Sequence, residues 1–315
     1  MSDKTATIRE DFLKVTGLTY DIDDVISKLN DEDKEKFKKN IEWHIPGGAY
    51  LAEGSAKKEL VDKFLNSLDE ALGLSSDENG DDETPDDDKV IEDTISEGGD
   101  VTISEPTDIS NIIELKTNLN LTVSANIKTE PAQDFIQISN NAEVKVNGNN
   151  ESVIESPLGD KDTGSSVFLV EDGNLTLSNV NVIGARAVMT NNEKAEVTIE
   201  SGEYNTFYAE APSIYVGPKG GKIIIKDGTF GVSYNGTYYG GNKYLLNLHD
   251  SLLKNNSDKS ATDFIEITGG KFIDYNPAES HSENPPVSFV AKGYKSVELP
   301  EKEGNLTVWE VVEDK

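Results

Sequence analysis

The sequence predicts a mostly β chain whose main part is a right-handed parallel β-helix. This solenoid follows a small all-α N-terminal domain and an acidic linker, and a C-terminal β cap closes it. Three observations carry the prediction. One phrase recurs, in "AEVTIESGEY", "GKIIIKDGTF" and "DFIEITGGKF", which start at Ala195, Gly221 and Asp263. Apolar pairs of the same kind return at intervals of 20, 23, 31, 22 and 26 residues between Ile103 and Ile225. From about Val90 onward, short alternating apolar runs stand between Asn, Asp, Gly and Ser clusters, the pattern of strands and turns.

A period of 20–50 residues is the mark of a repeat architecture, in which one unit cannot close a core and stacked units can. The key pairs are Val101 with Ile103, Leu121 with Val123, Val144 with Val146, Leu175 with Leu177, Val197 with Ile199, Ile223 with Ile225 and Ile265 with Ile267. A further strand precedes most pairs, as Ile113 with Leu115, Ile136 with Ile138, Val167 with Leu169 and Ile214 with Val216. A third short strand follows around Tyr204, Phe230 or Phe272. The last step, from Ile225 to Ile267, is 42 residues, which predicts a degenerate rung between them; Leu246 with Leu248 is the candidate. About eight coils at one strand spacing each give a rod of roughly 40 Å. Glycine after each pair suits a corner that needs a positive φ or has no room for a side chain. A β-sandwich would not explain the recurring phrase, and the Leu-rich consensus of a leucine-rich repeat is missing. The right hand is the one parallel crossovers favour.

The remaining segments divide by texture. Residues 1–74 read as three or four short helices. In "SAKKELVDKFLNSLDEALG", Ser55 is the N-cap, Gly73 the stop, and Leu60, Val61, Phe64, Leu65, Leu68 and Leu72 share one face. "NDEDKEKFKKNIEWHI" and "DIDDVISKLN" give two more, and "TIREDFLKV" is the candidate for a fourth, the first along the chain. Residues 75–89 form the linker: "SSDENGDDETPDDD" holds eight acids, one Pro and no apolar residue. Such a segment cannot offset the entropy of ordering, and it does not match a calcium-loop pattern. The β-helix is assigned residues 90–284. Residues 285–315 read as a meander of Ser288–Val290, Lys295–Leu299 and Leu306–Val312, with Phe289 and Trp309 covering the last coil.

Composition limits function. Of 315 residues, 59 are acidic and 29 basic, giving a net charge of −30. That balance argues against phosphate-mediated nucleic-acid binding and against an anionic membrane surface. No run approaches ~18 apolar residues, and the N-terminus has no basic-then-apolar leader. With no cysteine there is no disulfide or thiolate site. His44, His249 and His281 are far apart and lack metal-ligand spacing, so neither a metal nor a cofactor is expected. Glycoside hydrolysis needs two carboxylates at a fixed separation, and spacing alone nominates no pair among so many acids. Of Arg9 and Arg186 only the second lies in the solenoid, and it reads as a solvated structural residue rather than a lyase base. Seven of eleven Tyr fall between residues 204 and 244. Tyr234, Tyr238 and Tyr239, in "SYNGTYYGGN", are the candidate contacts for a sugar or a protein neighbour; the plainer reading is that these tyrosines pave one flank.

The layout of helical anchor, flexible linker, β-helical shaft and β-rich end resembles structural proteins of tailed bacteriophages. "ITGGKFIDYNP" and "FVAKGYKSVEL" look like the final-coil and tail segments of head-fibre and tail-fibre proteins. The resemblance implies a virion-surface protein, attached to a capsid or other virion protein through residues 1–74 and trimeric in many members. It carries over no catalytic residue. A surface glycan is the implied partner of the shaft. A polysaccharide-degrading tailspike and a bacterial adhesin are the alternatives.

Overall fold

The computed structural model describes residues 87–315 apart from 130–133, 157–164 and 235, together with scattered positions among the first 72. The chain divides into two compact units, Met1–Thr84 and Pro85–Lys315. In the first, the described positions at 61, 63–65, 68 and 71–72 are helical, as are 25–26, 34 and 37–38. Val61, Phe64, Leu68 and Leu72 are buried, whereas Lys63 and Ala71 are exposed. The apolar face expected at helical spacing is therefore present; Ser55, Leu60, Gly73 and His44 lie outside the described residues, as does the acidic segment up to residue 86.

The second unit is a parallel β-helix of three sheets, here numbered along the chain. One sheet stacks β1 (Gly99–Ile103), β4 (Leu119–Val123), β7 (Ala142–Asn147), β10 (Gly173–Ser178), β13 (Glu196–Ile199), β16 (Lys222–Ile225) and β20 (Ile265–Ile267), all parallel. The second stacks β2 (Thr107–Ile109), β5 (Ile127–Thr129), β8 (Val153–Glu155), β11 (Asn181–Gly184), β14 (Glu203–Thr206), β17 (Thr229–Tyr234) and β21 (Lys271–Ile273). The third holds β3 (Ile113–Leu115), β6 (Ile136–Ile138), β9 (Ser166–Val170), β12 (Arg186–Thr190), β15 (Ile214–Val216) and β19 (Leu246–Leu248). Each coil visits the three sheets in turn.

The recurring phrase is the first-sheet strand and its corner. Ile199 pairs with Ile225 and Ile225 with Ile267, and all three are fully buried. Gly202, Gly228 and Gly270 hold equivalent corners at φ of 118°, 121° and 101°. A Cβ on Gly202 would stand 2.1 Å from the carbonyl oxygen of Val180, one coil below. The aromatic two residues on points inward and continues the stack. Tyr204 and Phe230 lie 5.4 Å apart at 19°, and Phe230 and Phe272 lie 5.0 Å apart at 12°.

Four expectations are revised. Ile225 pairs directly with Ile267, so no rung intervenes; Leu246 and Leu248 belong to the third sheet, opposite Ile214 and Val216. The extra length goes into a hairpin, a short helix α2 (Ser251–Asn255) and a 3-10 turn at Ala261–Asp263. The first sheet thus has seven strands and a height of roughly 30 Å. Second, Leu119 and Leu121, rather than Leu121 and Val123, stand opposite Val144 and Val146. A two-residue slip keeps every inward side chain inward, because the side-chain period is two. Third, α1 (Asp87–Glu97) is a helix where linker and then strand texture were expected. It buries Ile95, and Glu92 Oε1 accepts the backbone N–H groups of Ser110 and Asn111 at 2.8 and 3.0 Å. Fourth, Ser288–Val290 makes only a bridge, Val290 to Ile267. The two later strands of the meander are β22 (Tyr294–Glu303) and β23 (Leu306–Glu313), paired antiparallel, with β23 added to β21.

A groove on the second sheet

Outward side chains on β8, β11, β14 and β17 stack in two columns. One is Val153, Asn181 and Glu203; the other is Glu155, Ile183, Asn205 and Gly231. β17 then runs past the sheet and turns back into β18 (Thr237–Tyr239), with Gly236 at φ 71°. This hairpin overhangs the columns and leaves a groove of about 370 Å³, lined by both columns together with Phe207, Ser233, Tyr234 and Gly236 but not by Gly231 itself.

The three candidate tyrosines separate here. Tyr234 lines the groove, is 44% exposed, and meets the Phe207 ring edge-on at 6.3 Å and 74°. Tyr238 lies with its ring against Gly231, where a Cβ would come within 2.7 Å of two ring carbons. Its hydroxyl donates to Glu203 Oε2 at 3.2 Å. Burial, reinforced by the charge of Glu203, pushes its phenol above the ordinary value. Tyr239 is 49% exposed and is not part of the lining. Of the other four tyrosines between residues 204 and 244, Tyr204 is in the core and Tyr215 is on the third sheet.

The groove's remaining chemistry comes from residues with no motif. Asn205 is 6% exposed and its Oδ1 has no partner. Glu155 and Glu203 both line the groove, and neither makes an ion pair among the described residues. Polar residues alternating with core residues, as in "EYNT", were the only sequence signal, and dozens of surface positions share it.

Arg186 is not solvated as expected. Its guanidinium stacks 4.7 Å over the Tyr215 ring, Nη1 meets Met189 Sδ at 3.2 Å, and Nε is buried without a partner. Burial pulls it below the ordinary value, opposed by Tyr215 and Asp134. His249 Nδ1 bonds Ser251 Oγ at 2.8 Å, and His281 lies 4.0 Å from Glu279. Among the described residues no three or more His, Asp or Glu gather as a metal site, and no helix is long and apolar enough to cross a membrane. A second cavity of about 360 Å³, between Asn242, Tyr275, His281 and Trp309, lies near the C-terminal end.

No family model matches the chain, no curated protein matches it in sequence, and no solved structure matches it.

Proposed function

We propose that this chain is a non-enzymatic virion structural protein, a head fibre or capsid decoration, that presents its solenoid to a host surface. Residues 1–74 attach it to a capsid or other virion protein, the coil is right-handed, and the assembly is a trimer. The observation that carries the reading is the division into two compact units, the second of them a solenoid closed at both ends by its own chain. Such a shaft needs no lateral partner to complete its core, so its flanks are left for contact. The proposal is tested by electron cryomicroscopy of purified particles, with mass spectrometry of the same particles. Solenoid density projecting from the shell is expected. Particles lacking the chain, or anchor density away from the virion, would overturn it.

Glu155 and Glu203 in one groove favour a second reading, a polysaccharide hydrolase of tailspike type. Release of reducing ends from a host polysaccharide, abolished by Glu155→Gln or Glu203→Gln, would establish it. No release across a panel of polysaccharides would remove it.

A further inference from the structure

We propose that the groove on the second sheet binds an uncharged saccharide. The proposal deepens the reading of the shaft as a host-contact surface, and rests on that reading for where the ligand comes from.

Among the described residues no Lys or Arg lines the groove, and the side-chain polar atoms of its lining are mostly oxygens that can accept. Among the described residues the Glu155 carboxylate has no hydrogen-bond or ion-pair partner, the Glu203 carboxylate accepts from Tyr238 alone, and Asn205 leaves its Oδ1 unpartnered at 6% exposure. A buried acceptor without a donor costs about 1–3 kcal/mol, and a ligand rich in hydroxyl donors removes that cost. An anionic polymer is repelled by the same carboxylates, in a chain that already carries −30.

Two rings add to the apolar contact of Val153 and Ile183. Tyr234 is one of two large hydrophobic side chains that are exposed among the described residues, and it is held edge-on to Phe207. An exposed aromatic beside amide and carboxylate groups suits the C–H face of a pyranose together with its hydroxyls. The coils repeat every ~4.8 Å, close to the length of one sugar unit, so a short chain laid across β8, β11 and β14 passes a polar side chain at each step, first Glu155, then Asn181, then Glu203 with Asn205.

The test uses the intact chain on an array of uncharged, acidic and glucosamine-containing oligosaccharides, followed by calorimetry with the strongest binder. At least one uncharged oligosaccharide is expected to bind with little dependence on NaCl. Tyr234→Ala should weaken it about tenfold, the equivalent of ~1.4 kcal/mol, and Tyr239→Ala should leave it unchanged. Unaltered melting of both variants excludes unfolding as the cause. Three results would each overturn the proposal. They are no uncharged binder, acidic or glucosamine oligomers bound at least as tightly, or uncharged binding that survives both Tyr234→Ala and Glu155→Gln. A chain found on particles yet blind to uncharged glycans would sink this inference and leave the virion reading intact. A binder absent from particles would do the reverse.

Discussion

Gly202 shows how little freedom a solenoid corner leaves. Its φ of 118° disfavours any L side chain, and a methyl group there would meet the Val180 carbonyl oxygen at 2.1 Å. Gly293 also has positive φ, 88°, but faces open space. Gly293→Ala should therefore cost about 1 kcal/mol from backbone strain alone. Gly202→Ala should cost roughly 2–4 kcal/mol, because coil-to-coil contact must also give way. Urea unfolding of the two variants measures the difference; equal losses would mean the corner is not sterically closed. Glu283 supplies a pH signature. Burial raises its carboxyl above the ordinary range, and Asp250 adds to the effect; the Leu248 N–H, Ser282 and Lys254 oppose it. Between the ordinary value and the raised one, the native state holds more protons than the unfolded state, so stability falls as pH rises through that window. Glu283→Gln should flatten that fall. Comparing urea midpoints of the two proteins from about pH 4 to about pH 7 checks the sign.

At the scale of elements, α1 closes the first coil through one carboxylate. Glu92 is 7% exposed, and its two oxygens take three hydrogen bonds, two from backbone N–H groups and one from Asn111 Nδ2 at 2.7 Å. Glu92→Ala leaves those donors unsatisfied, and a loss of about 2–3 kcal/mol is expected. Amide exchange should accelerate at Ser110 and Asn111 before the rest of the solenoid; uniform acceleration would show that α1 is not a separable cap. The helix is not legible because its first residues belong to the acidic segment that composition assigns to disorder, whereas its apolar contacts, Ile91 and Ile95, lie past Val90 where the texture reads as strand. The strands were legible because burial on one face imposes an alternation that a two-residue slip, as between β4 and β7, leaves intact. Spacing was less reliable. The 42-residue step counted chain length, and length in a solenoid is spent on excursions such as β18 and α2 as readily as on rungs. The groove was legible only through Tyr234. Glu155, Asn181 and Asn205 converge because parallel register stacks residues from different coils, and nothing local to each of them signals it.

For the solenoid as a whole, the physical problem is its ends, since every terminal strand offers unpaired backbone groups to a neighbour. All three sheets are closed at the C-terminal end. Phe289 O accepts the Ile267 N–H at 3.0 Å, and Ala291 N–H returns to Ile267 O at 2.9 Å, closing the first sheet. On the third, the Tyr275 hydroxyl donates to Leu246 O at 3.2 Å, and Glu283 Oε1 accepts the Leu248 N–H at 3.4 Å. On the second, β23 pairs with β21 and sets Trp309 opposite Phe272, leaving β22 as the outer edge. That edge is poorly suited to further pairing. Its bonding to β23 is interrupted between Glu298 and Lys302, Pro300 removes a donor, and Glu301 and Glu303 add charge. Deleting residues 294–315 should therefore uncover β21, with Phe272 and Ile273, and turn a protected edge into a template. The truncated chain is expected to form larger, β-rich species than the intact one at equal concentration. Size-exclusion chromatography with light scattering measures this directly. A truncated chain with the intact protein's oligomeric state would show that the last coil protects itself and that β22 and β23 serve another purpose.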